Sequence, residues 1–67
     1  MAKTKKLIDE LIAKRSKGDS FLELDVQMKL VLKGINVKNI TENTPDNPET
    51  IKKIYQLAEQ MNIELSN

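Results

Sequence analysis

Sixty-seven residues with 11 basic and 10 acidic side chains, no histidine and no cysteine, and a net charge of +1 describe one small domain and exclude several chemistries at once. Without cysteine no disulfide can staple so short a chain, whose hydrophobic core supplies only about 3–5 kcal/mol. Without cysteine or histidine the usual zinc and iron–sulfur ligands are also missing.

The absence of cysteine fits a reducing compartment. The segment Met1-Ala2-Lys3-Thr4-Lys5-Lys6 is basic like the start of a signal peptide, but Asp9 and Glu10 interrupt it before an apolar run develops. The longest apolar run within a predicted helix, Leu30-Val31-Leu32, is far short of a membrane span. The expected location is therefore the cytoplasm. Charge is unevenly spread: residues 1–17 carry +4, residues 18–34 carry −1 and residues 35–67 carry −2.

The first predicted helix runs from Thr4 to Lys17, with Leu7, Ile8, Leu11 and Ile12 on one side and Lys6, Asp9, Glu10 and Lys14 largely on the other. Lys6/Glu10 and Glu10/Lys14 have the i,i+4 spacing of ion pairs. Arg15 falls within the angular range of the apolar side, from which a residue near a helix end can snorkel to water. Gly18 ends this helix and Asp19-Ser20 begins the next, which predicts a tight helical hairpin.

The second segment, Ser20 to Ile35, has signals at both ends. Ser20 and Glu23 have the spacing of a capping box. Lys33-Gly34-Ile35 reads as a Schellman ending in which Gly34 turns left-handed and Ile35 folds back on Leu30. Between them, Phe21, Leu24, Met28, Val31 and Leu32 form one apolar stripe at 100° per residue, and Leu22, Val26 and Leu30 form a second. Strand periodicity competes here, since Leu22, Leu24, Val26, Met28, Leu30 and Leu32 alternate with mostly polar residues. The Leu, Met, Glu, Gln and Lys content and the caps decide for helix.

Residues 35–47 lack a regular pattern. Val37 and Ile40, three apart, suit a short turn packed on the helices. Asn39, Thr41 and Asn43 alternate as in a calcium loop, but Thr44 stands where glycine is needed and Thr50 where a bidentate glutamate is needed, so the metal reading fails. Asn39-Ile40-Thr41 is a glycosylation sequon without meaning in a protein that is not secreted. The last helix opens at Asn47-Pro48-Glu49, an N-cap followed by proline and an acid at the positive end of the dipole. Ile51, Ile54, Tyr55, Leu57, Ala58 and Met61 line its apolar face, Tyr55 as a core residue with its hydroxyl at the edge. Asn62 is the left-handed terminator, after which Ile63 and Leu65 close over the core.

The expected fold is all-α: a helical hairpin, a long loop and a third helix. No catalytic, cofactor-binding or metal-binding residue is assigned. Neither a nucleophile beside an imidazole base nor a glycine-rich phosphate loop is present, and so short a helical chain offers little volume for a small-molecule pocket. The first function reading is a non-enzymatic helical interaction or regulatory module that self-associates or binds a partner protein. In it the first and third helices cover the stripe of Phe21, and Leu22, Val26 and Leu30 form the partner-binding face, each worth about 1.5–3 kcal/mol before the cost of association. In the competing arrangement Val37, Ile40, Ile63 and Leu65 fold over Leu22, Val26 and Leu30 within one chain.

The second reading is a small DNA-binding regulator. The segment from Pro48 through Ala58 to Leu65 resembles, over about a quarter of the chain, the closing helices of phage-repressor-type helix-turn-helix domains, which implies a helix offered to the major groove. The glycine-turn helix pair that reads DNA has no counterpart upstream, there is a single arginine, and net charge is near zero. Nonspecific duplex binding should therefore be weak at physiological salt. Membrane-surface binding through the lysine-rich first helix ranks below both, because Asp9 and Glu10 sit on its polar face and it has no aromatic anchor.

Overall fold

The structure, a computed structural model, describes residues 2–66; Met1, the first residue of the basic segment, and Asn67 lie outside the described residues. It contains α1 (Thr4–Ser16), α2 (Ser20–Leu32), a 3-10 turn at Val37–Asn39 and α3 (Pro48–Gln60), with no strand among the described residues. Helix α1 is central and packs against both α2 and α3, while α2 also meets the 3-10 turn. Each helix has 13 residues, a length of about 20 Å, and the three fit within 28 × 21 × 20 Å.

Chain ends of the helices are set by local chemistry. Helix α1 stops one residue earlier than expected, because Lys17 itself takes the left-handed conformation (φ 47°) and Gly18 follows at φ 91°. A lysine there carries the steric cost that glycine avoids. Asp19, rather than a Ser20/Glu23 box, caps α2: its side chain accepts from the N–H groups of Phe21 (2.9 Å) and Leu22 (3.4 Å). The hairpin is so tight that Asp19 is already the last residue outside the helix, leaving Ser20 inside its first turn.

Two Schellman endings form as the sequence predicts. Ile35 N–H donates to Leu30 C=O at 3.0 Å and Gly34 N–H to Val31 C=O at 2.9 Å, with Gly34 at φ 85°. At the end of α3, Ile63 N–H donates to Ala58 C=O at 2.8 Å and Asn62 N–H to Glu59 C=O at 3.1 Å, with Asn62 at φ 58°. Asn47 caps α3 by accepting from Glu49 N–H at 2.9 Å. These bonds satisfy backbone groups that the helices leave unpaired.

The core consists of Leu7, Ile8 and Leu11 from α1, Val26 and Leu30 from α2, Ile35 from the return after α2, and Ile54, Leu57 and Ala58 from α3. Ile12, Val37, Ile40, Ile51, Met61, Ile63 and Leu65 pack around it. The loop turn meets α2, and with the C-terminal segment it closes over this core. Tyr55 departs from expectation: it lies at the rim, 38 % exposed, not in the core.

Candidate functional site

The partner-binding face assigned from the sequence is corrected by this packing. Val26 and Leu30 are fully buried and Leu22 is half-buried, so these residues are core, not a free surface. The physical reason lies in the Schellman turn. It carries the chain back over Leu30, and Ile35 enters the core beside it, so the Leu30 side of α2 must face inward.

The second stripe is consequently left outside. Phe21 is 82 % exposed, Leu24 60 %, Met28 64 %, Val31 59 % and Leu32 80 %. Spaced at three, four and three residues, Phe21, Leu24, Met28 and Val31 run along one line of the helix, and Leu32 widens it at the far end. At 100° per residue this line lies opposite Val26 and Leu30, so α2 is apolar on its two opposed faces. Together the five side chains leave roughly 500 Å² of apolar surface in water, within the range of the largest patches on monomeric proteins and typical of interaction sites.

Polar groups frame the stripe unequally. On one flank Asp25 and Lys29 form an ion pair at 2.9 Å across one helical turn, both side chains about half-buried. Ser20, Gln27 and Glu23 occupy the other flank. Acidic residues thus gather in the first half of α2 and Lys29 and Lys33 at its end, an arrangement that also complements the helix dipole.

Two polar constellations elsewhere are structural. Thr4 and Lys3 at the start of α1 have no capping side chain of their own, and Asp46 supplies one from the far end of the loop. Its Oδ1 accepts from Lys3 N–H (2.9 Å), Thr4 N–H (3.0 Å) and the Thr4 hydroxyl (2.8 Å), while its Oδ2 accepts from Lys3 N–H at 3.1 Å. The Thr4 hydroxyl is the main reason that the Asp46 carboxyl lies below its usual value of 3.8; desolvation opposes, and the two N–H groups and the charge of Lys3 add to the lowering. From the middle of α1, Glu10 accepts from Ser66 N–H (2.7 Å) and the Ser66 hydroxyl (2.6 Å) and pairs with Lys14 at 2.8 Å. Lys14 in turn donates to Glu64 C=O at 2.6 Å. These contacts hold the C-terminal segment against α1. Lys5 pairs with Asp9 at 3.0 Å.

Sequence reasoning missed Asp46 because its partners lie more than forty positions away. The available signal was negative: the N-cap position of α1 is Lys3, whose side chain has no oxygen to accept from the first N–H groups, so an acceptor had to come from elsewhere. No group of three or more acidic side chains among the described residues comes together in a way that could hold a metal ion. The depression between α3 and the C-terminal segment, about 510 Å³, opens to solvent and is lined in part by Tyr55, Glu59, Asn62 and Glu64. No helix among the described residues is long and apolar enough to cross a membrane. Compared with known protein families, curated proteins and solved structures, the chain matches none.

Proposed function

We propose that the chain is a non-enzymatic helical module, acting in the cytoplasm, that binds another protein through the outer face of α2. The observation that carries this reading is the stripe of Phe21, Leu24, Met28, Val31 and Leu32, apolar and exposed at the spacing of a helix-packing seam. A core helix has no use for a second apolar face. Such a face costs solubility, and coverage by a partner offsets that cost.

A protein suits this face better than a lipid surface does. Helices that lie on membranes carry lysine and arginine along the polar side, whereas this stripe is flanked by Asp25, Glu23 and a lysine already paired to Asp25. The DNA reading gains nothing from the fold. The basic groups are concentrated on the first helix, and the exposed stripe offers phosphates no charge.

The test is photo-crosslinking in the cell from a reactive amino acid placed at Leu24 or Met28, with Gln56 on α3 as the control position. Covalent protein adducts from positions 24 and 28, absent from position 56, are expected. Equal labelling from all three positions, or adducts to lipid alone, would overturn the reading.

A further inference from the structure

We infer that the protein seated on this face is a second copy of the same chain, with the two α2 helices packed antiparallel about a twofold axis that crosses the exposed stripe midway between Leu24 and Met28. This rests on the interaction reading above and goes beyond it by naming the partner and its orientation.

Three observations carry the inference. The first is the spacing: Phe21, Leu24, Met28 and Val31 alternate steps of three and four, the pattern that lets side chains of one helix insert between those of another identical helix. The stripe is also nearly symmetric about its middle, with Leu24 and Met28 inside and Phe21 and Val31 outside. An antiparallel copy therefore sets Leu24 against Met28 and Phe21 against Val31, twice each.

The second is area. The roughly 500 Å² supplied by the stripe is more than half of the ~800 Å² that each partner contributes to a standard interface, and the flanking residues bring the contact towards that value. A total of roughly 1,000 Å² from two stripes lies at the small end of specific interfaces, among weak and transient contacts, for which we take a dissociation constant of about 1–100 μM.

The third is charge. In an antiparallel pair each flank meets the same flank of the other copy. The flank that bears Asp25 and Lys29 then brings Asp25 of one copy within reach of Lys29 of the other, twice, with the two Asp25 side chains equally near each other at the centre, and the existing ion pair at 2.9 Å becomes part of a four-residue row that ends in lysine on both sides. In a parallel pair the same flank would meet Ser20, Gln27 and Glu23, where Glu23 gives Lys29 an opposite charge but nothing does so for Asp25. Only the antiparallel arrangement uses both lysine and aspartate.

Sedimentation equilibrium of the purified chain from about 1 μM to about 1 mM tests this. Wild type should pass from monomer to dimer within that range. Met28→Lys, which substitutes an exposed residue and so leaves the circular dichroism of the monomer unchanged, should weaken the dimer about 100-fold by placing a charge at its centre. Asp25→Lys and Lys29→Asp should each weaken it about three- to tenfold, because like charges then meet across the axis.

Mixing these last two variants should restore a heterodimer tighter than either homodimer. The mixture keeps like charges within each chain, so its recovery reads contact between chains alone. A monomeric wild type up to the highest concentration overturns the inference, as does a dimer indifferent to Met28→Lys; a mixture no tighter than its components overturns the antiparallel arrangement. Should wild type stay monomeric while positions 24 and 28 cross-link to a different protein in the cell, the interaction reading stands and the second copy falls.

Discussion

Truncating one side chain on each face of α2 gives opposite results if the helix is oriented as described. Val26 is fully buried and Leu24 is 60 % exposed. Val26→Ala removes two carbons from a close-packed site; at about 0.8 kcal/mol each the transfer loss is about 1.6 kcal/mol, and the cavity left behind raises the total to about 2–3 kcal/mol. Leu24→Ala removes three carbons from a side chain that remains mostly in water, so its cost should stay within about 0.5 kcal/mol, offset in part by the better helix propensity of alanine. Urea unfolding followed by circular dichroism at 222 nm, at a concentration where the chain is monomeric, measures both. With a urea dependence of about 1 kcal/mol per molar for so small a chain, Val26→Ala should lower the midpoint by about 2–3 M and Leu24→Ala by less than about 0.5 M. Equal losses from the two substitutions, or a larger loss from Leu24→Ala, would refute the orientation of α2 and with it the proposed face.

The Asp46 carboxyl, held below 3.8 chiefly by the Thr4 hydroxyl, should stabilise the fold fully above its unfolded-state value and lose that contribution as pH falls through the lower folded value; the Thr4 amide shift, followed by NMR, should titrate with a midpoint below 3.8, and a midpoint at or above it would contradict the cap. Lys17→Gly should raise stability by about 0.5–1 kcal/mol, the left-handed strain less the extra chain entropy of glycine, seen as a rise in Tm of several degrees; an unchanged or lower Tm would place the helix end elsewhere. Glu10→Ala should speed hydrogen exchange at the Ser66 amide and expose the segment from Ile63 onward to proteolysis without unfolding α1, because it removes both bonds from Glu10 to Ser66. Unchanged protection at Ser66 would show that Glu10 does not hold the segment.

The helices and their ends could be read from the sequence because capping is local. Asn47-Pro48, Gly34 and Asn62 each act within a few residues, and each appears in the fold in the role its chemistry predicts. Val37 and Ile40 likewise form the short packed turn that their spacing suggests. The inward face of α2 was harder. Both of its stripes are apolar, so periodicity alone cannot rank them, and the choice is made by what α1 and the loop turn bring alongside. One local clue was sufficient in principle: if Ile35 folds back on Leu30, the returning chain covers the Leu30 side, and that stripe cannot also be the free one. Tyr55 went astray for a related reason, since its angular position on α3 falls at the boundary between covered and open faces.

Asp46 and Asn47 are neighbours in the chain, yet they cap different helices, Asp46 the start of α1 and Asn47 the start of α3. The α1 cap exists only once the loop has returned, a closure across more than forty residues whose entropy cost must be met before the bonds form. An isolated peptide corresponding to α1 therefore lacks its own N-terminal brake and frays, while within the fold its first turn is fastened at the moment α3 docks. This makes the dipeptide a cooperativity device. The start of α1 cannot be secure unless the far end of the loop is in place, so fraying at that end of α1 and undocking of the loop are a single event.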